Sequence, residues 1–270
     1  MTALPARPIV AALVQDAPAP ANRPSFAASF AAVFSGQFAR AKVAAIAIFL
    51  AATLQSVGLV VLLKGLIDSG STVTRQSVVA GSSVTVVSFV ALNLLAQRFG
   101  ALKASGALDY FGALPVQPAA IVTATAAAWA SFTIPGSVLV AVGGAAYYRL
   151  PLAHVWVIAP VVVGAGISLA GLGALLGLVA PRPELATIAG QLGMSLVMFL
   201  GLVPAHRLPG ALQAVRAVVP STYAVDAFAE SFKRSPHWTT ISADLGICVA
   251  VCVLALAAST WAFRRAVSAR

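Results

Sequence analysis

Charged residues are scarce in this chain. Only 9% of its 270 residues are charged, and seven of them are acidic, whereas a soluble domain carries about 25% charged residues. Hydrophobic residues make up 60% of the chain, and the mean hydropathy is +0.95. A soluble fold could not hide so much apolar surface, because a large part of its surface must face water. The composition therefore excludes a soluble globular protein and predicts an integral membrane protein.

The sequence also lacks motifs that would give it chemistry of its own. It contains no G-x-x-x-x-G-K-[ST] and no H-E-x-x-H, so neither a Walker-type ATP site nor a metalloprotease site is predicted. Its three histidines, His154, His206 and His237, are dispersed, and Cys248 and Cys252 lie in an apolar run where packing is their expected role. We expect no catalytic, metal or cofactor site on this chain, and an intramembrane enzyme is disfavoured.

The net charge of +10 comes from lysines and arginines scattered singly between apolar runs. No basic stripe interleaved with aromatic residues is present, so nucleic acid is not predicted as a partner. In a membrane protein such charges indicate orientation, because cytoplasmic loops are richer in Lys and Arg.

Six uncharged runs are long enough to cross a bilayer, which takes about 20 apolar residues in a helix. Barrel strands are about ten residues long and alternate in polarity, so these runs predict an all-α membrane protein. Pro135 and Pro160 fall inside the third and fourth runs, where tilt or a kink is expected. Asn93, inside the second, is expected to bond to a neighbouring helix. The predicted spans are residues 43–63, 78–97, 119–146, 152–180, 185–205 and 245–263.

An even number of spans places both termini on one side of the membrane. If that side is the cytoplasm, ten basic residues lie inside and seven outside. This bias predicts a multi-pass protein of the cytoplasmic membrane with both termini in the cytoplasm. Residues 1–24, with five prolines among small residues, predict a disordered cytoplasmic tail, and residues 43–270 predict the six-helix transmembrane domain.

Residues 25–42 contain a phenylalanine at every fourth position of one stretch. On a helix Phe26, Phe30, Phe34 and Phe38 form a single aromatic stripe, and most polar side chains lie off it. This pattern is typical of an amphipathic helix that lies in the membrane interface in contact with lipid. The alternative is one long first helix packed inside the bundle.

A second amphipathic segment, residues 206–236, lies between the last two spans. Pro220 divides it into two short helices, and the Ser-Thr pair after this proline can cap the second. Ala224, Phe228 and Phe232 share one face of that helix. On another face Glu230 can pair with Arg234. We expect an outer helical hairpin that lies in the interface or re-enters the bundle.

Here the sequence resembles the ABC-2 permease family, the membrane subunits of exporters for drugs, lipids or polysaccharides. Its members have an apolar span, a proline-containing turn, a short helix and then P-x-x-Y-x-x-D/E. The matching residues of this chain are Pro204, Leu208, Pro209, Pro220, Tyr223 and Asp226. We expect Tyr223 and Asp226 to orient the hairpin by hydrogen bonds, and the alternative is a direct role in substrate release.

The loop at residues 98–118 resembles the family's coupling helix, which docks into the ATPase subunit. Ser105 and Ala107 stand where the family has an acidic residue and a threonine. The alternative is an ordinary inner loop with membrane-anchoring aromatics. The resemblance assigns ATPase docking to Gly106, Leu108, Asp109, Tyr110, Leu114 and Pro115.

The resemblance implies a permease subunit of an ATP-binding-cassette exporter. A separate ATPase subunit, in two copies, would bind ATP and Mg²⁺, so no cofactor is expected on this chain. A second permease chain would complete the pathway as a homo- or heterodimer. The nearly uncharged spans favour an amphipathic drug, lipid or glycolipid as substrate. The alternative is a membrane scaffold or immunity-type protein that transports nothing.

Overall fold

The structure is a computed structural model. It describes residues 24–65, 72–113, 116–203 and 209–268. Within these ranges every regular element is helical, and for Asp109 only the backbone is described. Several predicted features lie outside the described residues, namely residues 1–23 of the tail, Leu114, Pro115, Pro204 and Leu208.

Six helices are long and apolar enough to cross a membrane, which confirms the predicted all-α, six-span fold. We name them spans 1 to 6. They are Phe26–Leu62, Thr72–Ala104, Pro118–Tyr147, Val155–Val179, Pro183–Leu202 and Trp238–Val267. Spans 2 and 6 begin earlier than the predicted residues 78 and 245, because polar residues beside their apolar runs continue the helix.

Three short helices connect the spans. The loop helix, Ala107–Ala113, follows span 2, and the hairpin between spans 5 and 6 consists of a first helix, Gly210–Val218, and a second helix, Pro220–Ser231. Since three spans separate the loop helix from the hairpin, the two lie at opposite ends of the bundle. We call these ends the loop-helix face and the hairpin face.

Span 1 is one continuous helix from Phe26 to Leu62. The predicted interfacial helix 25–42 is therefore not a separate element, because nothing in this alanine-rich stretch breaks the helix. The four phenylalanine rings of this stretch pack in a row with neighbouring centroids 5.8 to 6.2 Å apart, and Phe38 stacks on Phe132 at 4.8 Å. At 1.5 Å per residue the helix is about 55 Å long, so it extends beyond a hydrocarbon core of about 30 Å.

Two polar side chains in the first half of span 1 face the protein, whereas that of Ser35 is exposed. Ser29 and Gln37 are only 2% and 5% exposed, whereas Phe26 and Phe38 are 45% and 37% exposed. The aromatic stripe therefore lies along the flank of the bundle, and its contact with lipid stays a prediction.

Span 2 is the central helix of the bundle, and nearly all of its first half is buried. It consists of a helix Thr72–Ser88, a π-helical turn Phe89–Leu94 and a helix Leu95–Ala104. Three of its buried hydroxyls, on Ser83, Thr85 and Ser88, donate to the carbonyl four residues earlier at 2.8 to 2.9 Å. These bonds let a hydroxyl-rich helix occupy the centre of a membrane protein.

Glycines of the neighbouring spans lie directly against the backbone of span 2. A Cβ at Gly173 would be 2.5 Å from the carbonyl oxygen of Ala91, in the π turn, and a Cβ at Gly177 would be 2.4 Å from that of Ala96. Gly190 of span 5 approaches the same turn, with 3.1 Å from a Cβ to the nearest backbone oxygen. Such close backbone packing is the expected use of small residues between membrane helices.

Asn93 bonds within its own helix. The side-chain amide of Gln97 donates to Asn93 Oδ1 at 2.9 Å, one turn along span 2. The expected bond from Asn93 to a neighbouring helix is therefore wrong, because the surface nearest its backbone includes Gly190, which offers no side-chain partner.

The prolines of spans 3 and 4 act differently. Pro135 has no N–H to donate to the carbonyl of Ser131, and span 3 is interrupted between Ser131 and Thr133. Pro160 lies in the first turn of the helix Ile158–Val179, where a missing N–H leaves no helical bond unmade.

Replacing Gly173 with alanine should destabilise the bundle, because the new Cβ would overlap carbonyl oxygens of the π turn. We expect the free energy of unfolding to fall by about 1–3 kcal/mol, seen as a lower melting temperature in detergent. Gly143 is the matched control, since nothing lies within 4 Å of a Cβ there. Equal melting temperatures for Gly173→Ala, Gly143→Ala and the natural chain would contradict the role assigned to this contact.

Candidate functional site

The second hairpin helix is anchored by its apolar face. Ala224, Phe228 and Phe232 lie on this face, and at most 2% of each is exposed. The helix packs against spans 2, 4 and 6. In addition, the side-chain amide of Gln76, near the start of span 2, donates to the carbonyl of Phe232 at 3.3 Å. The hairpin is therefore part of the bundle end, while its depth in a membrane stays a prediction.

Arg216 joins the hairpin to the end of span 5. Its buried guanidinium donates to the carbonyl of Leu200 at 2.7 Å and contacts that of Val203 at 3.5 Å. Its other terminal nitrogen donates to the carboxylate of Asp226. Span 5 ends at Leu202, so these carbonyls form its negative C-terminal pole, which favours a cation.

Two hydroxyl groups of the second hairpin helix bond back to the first helix. Tyr223 Oη donates to the carbonyl of Ala217, and Thr222 Oγ1 donates to that of Arg216, both at 2.7 Å. The expected cap by the Ser-Thr pair is wrong, because Val219 occupies the cap position and Thr222 serves the last carbonyls of the first helix instead. Tyr223 and Asp226 thus both join the two hairpin helices, and their part in transport stays a prediction.

Glu230 is the second charged centre of the hairpin. Its carboxylate pairs with Lys233 and accepts from the backbone N–H of His237 at 3.1 Å, and it lies 2.9 Å from His237 Nδ1. The expected pair with Arg234 is wrong, because the helix ends at Ser231 and no longer presents that side chain. Burial alone would raise the pKa of Glu230, but the bonds from Lys233 and His237 outweigh it and lower the pKa.

The pKa values of the two acids of the second hairpin helix are shifted in opposite directions. For Asp226, desolvation by the surrounding protein raises the pKa, and the charge and hydrogen bond of Arg216 offset only part of this effect. Its side chain is 49% exposed.

Asp244 is a charged residue of this region that the sequence analysis does not identify. It lies in the second turn of span 6, before the predicted start at residue 245, and within electrostatic reach of Asp226 and Glu230. Its Oδ2 atom is buried and has no hydrogen-bond partner among the described residues. An acid just before a long apolar run, preceded by the interface-type residue Trp238, is the signal that could have revealed it.

The loop helix is fixed at its start and presents an aromatic side chain outward. Gly106 has φ of 73°, a left-handed conformation that residues with a Cβ rarely adopt. Of the predicted docking residues, Leu108 is 3% exposed and belongs to the core, whereas Tyr110 is 65% exposed. The ring of Tyr110 meets Phe111 edge-on, with centroids 5.8 Å apart.

Lys103 attaches the segment before the loop helix to the end of span 4. Its ammonium group donates to the carbonyls of Leu178 and Ala180 at 2.8 and 2.9 Å. These carbonyls lie at the C-terminal end of a helix that finishes at Val179. Lys103 therefore donates hydrogen bonds to the end of span 4 at the loop-helix face, as Arg216 donates them to the end of span 5 at the hairpin face.

Removing Arg216 should loosen the hairpin, because the carbonyls at the end of span 5 and the Asp226 carboxylate would lose their donor. For Arg216→Ala we expect a loss of about 2–3 kcal/mol in the free energy of unfolding, measured as a lower melting temperature. Arg234→Ala, at an exposed arginine of the same region, is the control. A variant Arg216→Ala as stable as Arg234→Ala would contradict this account.

Acid should weaken the hairpin through Glu230. Its pKa is lower in the folded chain than normal, so its stabilising effect is complete above the ordinary glutamate pKa of about 4.3 and is lost as the pH falls through the lowered value. Glu230→Gln should therefore flatten the acid side of a plot of melting temperature against pH. Glu184→Gln, an exposed acid at the start of span 5, should leave the plot unchanged. An unchanged plot for Glu230→Gln would refute the assignment.

The chain matches the model of a known protein family. Residues 68–261 match the family model described as "ABC-2 family transporter protein", a range that includes the loop helix, the hairpin and spans 2 to 5 entire. No curated protein matches the chain. Members of this family are membrane components that work with an ABC ATPase. The chain therefore belongs to the ABC-2 family of transporter proteins and is a multi-pass membrane subunit of a transporter.

Proposed function

We propose that this chain is the permease subunit of an exporter that moves an amphipathic drug-, lipid- or glycolipid-like substrate out across the cytoplasmic membrane. A separate ABC ATPase in two copies drives transport and holds ATP and Mg²⁺, and this chain binds no cofactor. The observation that supports the proposal best is the course of span 2. This one buried helix begins against the hairpin and leads directly into the loop helix.

In this proposal the ATPase docks on the loop helix. The exposed ring of Tyr110 enters a groove of the ATPase, and buried Leu108 holds the helix to the bundle. The left-handed turn at Gly106 sets the angle between the loop helix and span 2. Asp109, Leu114 and Pro115 complete the docking segment by family resemblance.

Movement of the loop helix would reach the hairpin through span 2. At the loop-helix face, the bonds of Lys103 tie the end of span 2 to the end of span 4. At the hairpin face, Gln76 ties its start to the second hairpin helix. ATP binding would thus shift the loop helix, and the linked spans would open or close the exit under the hairpin.

The substrate path would lie between this chain and a second permease chain, identical or related. Large apolar side chains are exposed on the outer spans, for example Leu54 at 73% and Leu254 at 68%. A groove of about 400 Å³ between spans 1 and 3 is lined mainly by apolar side chains, with Tyr147 near the hairpin face. Such surfaces suit apolar or amphipathic molecules better than ions.

The first test is purification of the tagged chain from its native membrane under mild conditions. We expect an ATPase with Walker motifs to co-purify stoichiometrically, and about tenfold less of it with Tyr110→Ala, since buried aromatic anchors dominate binding energy at interfaces. Tyr147→Ala is the matched control, because Tyr147 is 63% exposed but lies at the opposite face. It should retain the ATPase.

The result of this purification tests the docking position and the exporter proposal separately. If the ATPase stays bound to Tyr110→Ala, the exporter stands and the docking position is wrong. If no ATPase appears under conditions that preserve other membrane complexes, the exporter is wrong and a scaffold or immunity-type role is favoured.

A further inference from the structure

A groove with a cationic end lies between spans 3 and 6 on the loop-helix face. It encloses about 380 Å³. Its apolar part is lined by Ala119 at the start of span 3 and by Leu256 and Ala257 in span 6. Thr260 and Arg264 line its other part, nearer the end of span 6. From Leu256 to Arg264 the helix rises about 12 Å, so the groove changes from apolar to basic toward the membrane surface.

The basic end of this groove offers hydrogen-bond donors. Thr260 and Arg264 are four residues apart and therefore share one helix face. Neither side chain has a hydrogen bond or ion pair among the described residues, and Arg264 is exposed. Beside them the guanidinium of Arg265 lies 5.4 Å from the ring centroid of Trp261, which places a second positive charge near the groove.

No acidic residue is among the described residues that line the groove. Among the described lining residues, those of the grooves between spans 4 and 6 at the hairpin face and between spans 3 and 4 include no charged one. The groove between spans 1 and 3 has one, Lys64, near the hairpin face. The cationic groove thus combines an apolar wall with the exposed Arg264 at its end, which is the arrangement expected of a site for an anionic lipid.

We propose that this groove binds one anionic phospholipid. Its acyl chain would lie along Ala119, Leu256 and Ala257, and its phosphate would accept hydrogen bonds from Arg264 and Thr260. The apolar wall favours a lipid over free phosphate, because a free anion would leave that wall uncovered. Since the loop helix contacts span 6, the bound lipid would also brace the spans beside the loop helix. The site depends only on these residues and not on the exporter proposal.

The test is native mass spectrometry of the purified chain with phosphatidylglycerol and phosphatidylcholine of identical acyl chains. We expect one retained phosphatidylglycerol and a preference over phosphatidylcholine that falls about fivefold in Arg264→Gln, the effect of one arginine near anionic headgroups. Arg182→Gln is the matched control, because Arg182 is also an exposed arginine on the loop-helix face. It should keep the preference.

A second variant tests the groove itself. Ala257→Phe fills its apolar wall and should prevent retention of the lipid while leaving Arg264 in place. The proposal is overturned if Arg264→Gln keeps the preference, if Arg182→Gln loses as much, or if Ala257→Phe binds lipid normally. Because the measurement involves neither ATPase nor transport, failure of the exporter proposal would not affect its result.

Discussion

The carbonyl groups that end spans 4 and 5 accept hydrogen bonds from Lys103 and Arg216, and the positions of the loop helix and the hairpin depend on this interaction. Lys103 bonds the end of span 4 from a position just before the loop helix. Arg216 bonds the end of span 5 from within the hairpin. An unpaired carbonyl is costly away from water, so each cation is fixed where the carbonyls require it. The C-terminal ends of spans 4 and 5 thereby position the loop helix and the hairpin.

The loop helix was expected only from the family resemblance. Local composition was sufficient to predict the six spans and the two hairpin helices, because transfer into a membrane depends on the polarity of consecutive residues. It was not sufficient to predict polar partners. Glu230 bonds Lys233 and His237 rather than Arg234, because the helix ends before Arg234. Asp244 lies before the start of the predicted sixth span. A prediction from hydropathy places the start of a span after the last polar residue, whereas the helix itself begins earlier, at Trp238.

The first half of span 1 shows a further limit of sequence patterns. Periodicity correctly places Phe26 and Phe38 on one stripe, yet it cannot tell which face meets protein. In the structure Ser29 and Gln37 are buried, although Ser35 is exposed. The aromatic stripe also meets protein, because Phe38 stacks on Phe132, a residue far away in sequence that periodicity does not reveal.

The π turn of span 2 contains one residue more than the α-helical turn it replaces. Compared with an uninterrupted α-helix, the residues after this turn are rotated by about 100° around the helix axis. The glycines Gly173 and Gly190 lie directly against this turn. The two halves of span 2 therefore present other faces to the neighbouring spans than one uninterrupted α-helix of the same sequence would.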